Sequence, residues 1–185
     1  MITIPLRILL AEDHKTDAEL ITFHLEQLVE TLEIRVVDNL PLFNQELQIF
    51  VPDLIISDYN MPTCTGLDVL KATKEFDINL PFIFITGTIE DEEMAANTIL
   101  AGASGFILKK DMRNLQEKLK PLLKRVVFNI SQQQVIRDRV RKNKIAVNQI
   151  YQFLDSIKAE NEEQRANLKE IKKNIDGIEL EKDDK

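Results

Sequence analysis

Five polar residues stand at matching places in the chain, each at or just beyond the end of a short apolar run. Glu12 and Asp13 follow Leu6 to Ala11, Asp58 closes the run begun by Leu54-Ile55-Ile56, Thr86 ends Pro81-Phe82-Ile83-Phe84-Ile85, and Lys109 follows Phe106-Ile107-Leu108. A lone aspartate beside a turn would only open that turn. Convergence of four strand ends on one rim is much harder to dismiss. Three carboxylates gathered there repel one another and need a compensating cation at neutral pH. A hard, oxygen-ligated divalent ion, Mg²⁺ or Mn²⁺, suits a site with few side-chain ligands. Lys109 adds a fixed positive charge and Thr86 a hydroxyl donor, so the set can neutralise and orient a phosphoryl group carried on Asp58. The sequence has no Gly-rich phosphate loop to hold ATP, so that group has to come from another molecule.

The elements that bring these residues together can be read in order. Apolar runs of four to six residues bounded by turn formers suit fully buried parallel strands, and ligands of open α/β sheets bind at the carboxyl ends of such strands. After the first strand, Asp17 can cap a helix with Leu20, Ile21, Phe23, Leu25, Leu28 and Val29 on its apolar side. Ile34 to Val37 reads as a second strand at a sheet edge, and Leu40 to Phe50 as a helix stopped by Pro52. Helices are expected at Gly66 to Phe76 and at Glu90 to Leu100, the latter with acids in its first turn. Gly102 to Gly105 makes a turn into the fifth strand, and Asp111 opens a further helical region. This alternation predicts an α/β fold, a parallel doubly wound sheet with strand order 2-1-3-4-5 and helices on both faces.

With 185 residues, 44% hydrophobic and 30% charged, the chain has room for one ordinary domain and an appendage. No apolar run approaches the roughly 18 residues that a membrane helix needs, and the N-terminus lacks the pattern of a secretory signal. The single cysteine, Cys64, excludes an intramolecular disulfide and a cysteine-based zinc cage, so a reducing, cytoplasmic setting is expected. Cys64 reads as a free thiol, His14 as a surface histidine beside the acids, and His24 as a structural residue of the first helix. The net charge of −7 divides unevenly: residues 1–110 hold 18 acids against 7 bases, and residues 111–185 hold 13 against 17. An acidic first part argues against nucleic acid as its direct partner.

The segments Leu9-Leu10-Ala11-Glu12-Asp13, Asp58-Tyr59-Asn60-Met61-Pro62 with Gly66, Ile85-Thr86-Gly87 and Phe106-Ile107-Leu108-Lys109 resemble, in order, spacing and strand context, the receiver domain of two-component response regulators. The resemblance covers about residues 5–127. It implies a flavodoxin-like (βα)5 fold and a phosphoacceptor module rather than an enzyme, with Asp58 taking phosphate from a histidine kinase or phosphotransfer protein. It also implies that Glu12 and Asp13 form the acidic pair, with Asp13, Asp58 and the Asn60 backbone carbonyl as metal ligands. Thr86 and Lys109 would contact the phosphoryl oxygens, and Phe106 would be the aromatic that moves with Thr86. Phe106 lacks a hydroxyl, so its part would be packing. Asn60 and Thr88 flank the site.

The second half reads differently. Pro121 either kinks a helix or starts one, and the family's pattern favours a start there. No further Gly or Pro occurs until Gly177, which permits one long helix. Leu115, Leu119, Leu122, Val126, Ile136, Val140, Val147, Ile150, Leu154, Ile157, Leu168, Ile171, Ile175 and Ile178 fall on one 3-4 alternation, which argues for a coiled coil. The expected division is therefore a receiver at 1–127, a coiled-coil segment at 128–180 that forms a homodimer, and a disordered tail at 181–185. Dimer against tetramer stays open, as does a parallel coil against an antiparallel hairpin folding near Asn161-Glu162-Glu163. The basic cluster Arg137, Arg139, Arg141, Lys142 and Lys144 has no interleaved aromatics and no helix-turn-helix pattern after it, so a solvated helix face is favoured over nucleic-acid contact. A chain continuing past Lys185 into an enzymatic output domain is the other alternative.

Overall fold

Each apolar run becomes a strand. The computed structural model describes residues 1–87, 98–132 and 134–180, without the side chains of 111–113, 134–137, 160–163 and 172–180. The elements are β1 (Leu6–Ala11), α1 (Lys15–Glu26), β2 (Leu32–Val37), α2 (Leu40–Phe50), β3 (Leu54–Ser57), α3 (Gly66–Phe76), β4 (Phe82–Thr86) and β5 (Gly105–Leu108). A 3-10 turn (Lys109–Asn114), α4 (Leu115–Ser131) and α5 (Gln134–Leu180) follow. The five strands pair in parallel in the order 2-1-3-4-5, as the alternation predicts. A two-residue antiparallel ladder, Asn60–Met61 with Cys64–Thr65, lies between β3 and α3.

The period-two alternation of side chains along the strands builds a core on each face. Ile8, Leu10, Ile56 and Ile83 meet Ile21 and Leu25 of α1 and Leu119 and Leu123 of α4. Leu9, Ile55, Phe82 and Phe84 meet Phe43 and Phe50 of α2 and Val69 and Leu70 of α3. All residues of β3 and β4 are buried, whereas β2 exposes Val36, as an edge strand can. Emptying one such position, Leu10→Ala for example, costs about 2–5 kcal/mol.

Local chemistry sets the loop after β3. The Thr65 hydroxyl accepts the Asp68 N–H at 3.3 Å, and the Thr65 N–H donates to Asp68 Oδ2 at 2.9 Å, which closes a capping box on α3. Gly66 is required at the start of that helix. A Cβ there would lie 2.6 Å from the Asp58 carbonyl oxygen and 2.6 Å from the Phe84 ring.

Three local expectations are corrected. His14, not Asp17, is the N-cap of α1, and Asp17 lies in the first turn. Pro121 does not start a helix, because α4 begins at Leu115 and carries the proline in its interior. The helical region is not continuous, since α4 ends at Ser131 and α5 begins at Gln134. Leu115, Leu119 and Val126, counted on the 3-4 alternation, are buried in the α1–α4 core. Over a few turns a 3.6-residue amphipathic stripe and a 3.5-residue seam use the same spacings, so the pattern alone does not separate them. Of the helix expected at Glu90 to Leu100, only residues 98–100 are described, and they are helical. Thr88 and residues 181–185 lie outside the described residues.

The chain divides into two compact units, Met1–Ile145 and Ala146–Lys185. In the second, Val147, Ile150, Leu154 and Ile157 of α5 are exposed on the 3-4 alternation.

Candidate functional site

The carboxyl ends of β1, β3, β4 and β5 bring the expected residues to one rim. Asp58 leaves β3 with its amide bonded to the Ala11 carbonyl at 2.9 Å, which ties it to the end of β1. Its side chain is buried but well supplied with donors. The Tyr59 N–H donates to Asp58 Oδ1 at 2.6 Å, the Asn60 N–H to the same oxygen at 3.3 Å, and the Lys109 ammonium to Oδ2 at 2.8 Å. Lys109 also lies 2.9 Å from Glu12 Oε2 and 2.7 Å from Asp17 Oδ2.

One ammonium therefore serves three carboxylates, and Asp13 stands beside them. Burial alone would depress the Lys109 pKa, but its bonds to Asp17, Asp58 and Glu12 outweigh that and hold it above the ordinary lysine value. Glu12 shows the opposite balance. Burial raises its pKa, and Lys109 only partly offsets the rise. Among the described residues the site carries more negative charge than Lys109 alone offsets. Asp13 Oδ1 is buried without a hydrogen-bond partner among the described residues, so the donor set fits a hard divalent cation. Glu12, Asp13 and His14 offer ligand atoms within 4.8 Å of one another. His14 is mostly exposed and its Nδ1 lies 3.2 Å from Asp13 Oδ2.

Thr86 is fully buried at the end of β4, with its hydroxyl unpartnered among the described residues. Leaving such a group unpaired costs about 1–3 kcal/mol, so an acceptor belongs there. Phe106 is half-buried, its ring 6.3 Å from that of Phe84, which in turn lies 5.8 Å from Tyr59. Asn60 is exposed on the short ladder beside Asp58. Asp17, read from sequence only as a cap, is the residue that reasoning missed. It lies in the first turn of α1, just after the acidic pair that follows β1, and that placement was the available signal.

The sequence matches the response regulator receiver domain over residues 8–120. The chain belongs to this family. Receiver domains take Mg²⁺ at an acidic pocket, and Glu12, Asp13 and His14 form such a cluster in this one. The receiver is 31% identical over 104 residues to a protein-glutamate methylesterase/protein-glutamine glutaminase of Methanospirillum hungatei, an alignment covering 52% of this chain and 30% of the relative. It is 40% identical over 60 residues to the regulatory protein LuxO of Vibrio cholerae, covering 31% of this chain and 12% of LuxO. The match thus spans less than a third of either protein. In structure, the receiver resembles the signal receiver domain of a LuxO repressor protein from Vibrio parahaemolyticus, with TM-score 0.60 and 28% identity, over 68% of this chain and 95% of that one. The response regulator domain of Thermotoga maritima CheB shares the fold, with TM-score 0.57 and 18% identity over 66% and 94% of the two chains. Among the described residues, no helix is long and apolar enough to cross a membrane.

Proposed function

We propose that this receiver is the cytoplasmic, phosphorylation-operated switch of a two-component phosphorelay, with Asp58 as the acceptor. A carboxylate oxygen of Asp58 forms the new P–O bond as the P–N bond of a phosphohistidine breaks, on a histidine kinase or phosphotransfer protein, and the imidazole leaves. Asp13, Asp58 and the Asn60 carbonyl would hold Mg²⁺, with Glu12 beside them, and the ion would supply the positive charge that the transferred group demands. Lys109 holds the aspartate and then a phosphoryl oxygen, and the Thr86 hydroxyl gains its acceptor from the same group. Movement of Thr86 draws Phe106 inward and biases the surface around β5 and α4.

The observation that carries this reading is the shared Lys109, bonded to Asp58 and to two further carboxylates at the sheet's carboxyl rim. The test is acid-labile, Mg²⁺-dependent phosphate incorporation from acetyl phosphate. Wild type should label and Asp58→Ala should not; equal labelling of the two sinks the assignment.

Downstream, we read α5 as a self-associating stem that forms a coiled-coil homodimer, because its apolar seam is exposed in the single chain. Light scattering with and without beryllofluoride checks both association and its coupling to Asp58. A stem that stays monomeric at high micromolar concentration would remove this part alone. A second reading, α5 as a connector to an output domain, is favoured by the greater length of the relatives. Sequencing the gene through its stop codon decides it.

A further inference from the structure

The opposite end of β3 holds another buried carboxylate. Asp53 immediately precedes the strand, and its side chain is 1% exposed. A carboxylate so buried is costly unless it is paired and hydrogen-bonded. Both conditions are met. The Arg7 amide of β1 donates to Asp53 Oδ2 at 3.0 Å, and the Arg141 guanidinium of α5 pairs with Oδ1. Arg141 makes a second bond, from Nε to the Val51 carbonyl at 3.3 Å. Val51 ends α2 in the left-handed region, at φ 48 and ψ 70, a conformation that a β-branched residue adopts only at a cost. One turn further along α5, the Lys144 ammonium lies 4.0 Å from the centre of the Phe76 ring, a cation–π contact. A groove of about 560 Å³ runs beside these contacts, lined by Pro52, Leu80, Ile130 and Val140 among others.

Among the described side chains of the basic cluster, Arg141 and Lys144 are therefore engaged on the body of the protein, while Arg139 and Lys142 are exposed. We propose that Val51, Pro52 and Asp53, with Phe76 alongside, form a guanidinium-binding site whose ligand is Arg141, and that its occupancy seats the first turns of α5 on the receiver. A planar fork that reaches a carboxylate and a carbonyl together selects arginine over lysine. Arg141 and Lys144 also occupy register positions outside the seam of Val147, Ile150, Leu154 and Ile157, so seating the cations uses none of the seam residues. The site makes the order of the α5 root depend on the strand that carries Asp58 at its other end.

The test uses the full chain and two readouts: amide hydrogen exchange over residues 138–145 and the ¹⁵N-detected Nε–H resonance of Arg141. The wild-type Nε–H should be protected from solvent, and Asp53→Asn, which keeps an acceptor for the Arg7 amide, should abolish that protection. Arg141→Ala should speed exchange over 138–145 at least tenfold, and Arg141→Lys by less, with β1 and β3 unchanged. Wild-type exchange rates in Arg141→Ala, or an Arg141 Nε–H that exchanges like an exposed arginine in the parent chain, would overturn the proposal. Acceleration spread equally over β1 and β3 would also overturn it, since that marks general loss of stability. If Asp53→Asn does not fold, the two Arg141 variants still decide.

Discussion

β3 ends in two aspartates, each buried and each met by a cation from far along the chain, but the surroundings of the two differ. Around Asp58 the acids outnumber the cations among the described residues: Lys109 is divided among Asp58, Glu12 and Asp17, and Asp13 keeps an oxygen with no partner among them. Around Asp53, by contrast, a guanidinium and a backbone amide meet the carboxylate directly. A surplus of one sign is costly to fold and is relieved only by something from outside, a metal ion or a phosphoryl group. A carboxylate met in that way holds two segments together. The distinction lies in the neighbours, because the residue type is the same at both ends.

The comparison breaks most sharply on phosphate incorporation. Asp58→Asn should reduce labelling by acetyl phosphate to background, whereas Asp53→Asn should leave it within about twofold. Divalent cation comes next. Mg²⁺ at a hundred times its dissociation constant should stabilise the wild type by about 2.7 kcal/mol in thermal unfolding, and Asp13→Asn should lose most of that gain. Removing a charged partner should then have opposite signs at the two ends in the metal-free protein. Arg141→Ala removes a charged partner of a buried carboxylate and should cost about 2 kcal/mol in urea unfolding. Glu12→Gln should stabilise instead, because burial holds the Glu12 pKa above its ordinary value and its ionised form disfavours the fold. That benefit is largest at neutral pH and fades as the pH falls through the raised pKa, where wild-type Glu12 takes up a proton. The smallest effect concerns the capping box of α3. The bonds from Thr65 lower the Asp68 pKa, so its contribution is present above the unfolded value and is lost as acid protonates it. Asp68→Ala should lower Tm by about 2 °C at pH 7, with the difference shrinking as acid protonates Asp68.

Much of this could be read from residue types alone. The strands announce themselves because both faces of a parallel sheet are covered, so β3 and β4 are apolar throughout, and the rim residues follow once those strands are placed. Asp17 escaped because an acid near a helix start has an ordinary local explanation, and its bond to Lys109 exists only after β5 has joined the sheet beside β4. Arg141 escaped for a similar reason: five cations in eight residues look like a solvated face, and nothing local marks which of them reaches Asp53. The break between α4 and α5 carries no glycine or proline. It falls in the polar run Ser131 to Gln134, where Ile130 is the last core contact of α4. The family match over residues 8–120 takes in every rim residue and stops short of Arg141.

The sequence separation of the two clasps has a consequence for how the molecule is made. Lys109 and Asp17 are 92 positions apart, and Arg141 and Asp53 are 88 apart. On a ribosome, the acids of the rim are synthesised well before the lysine that gathers them. Neither clasp can close until the sheet is nearly complete, and contacts of such long range come late and slow the approach to the native state. The nascent chain therefore carries its acids ahead of the cations that meet them, and both clasps close only as the domain folds as a unit.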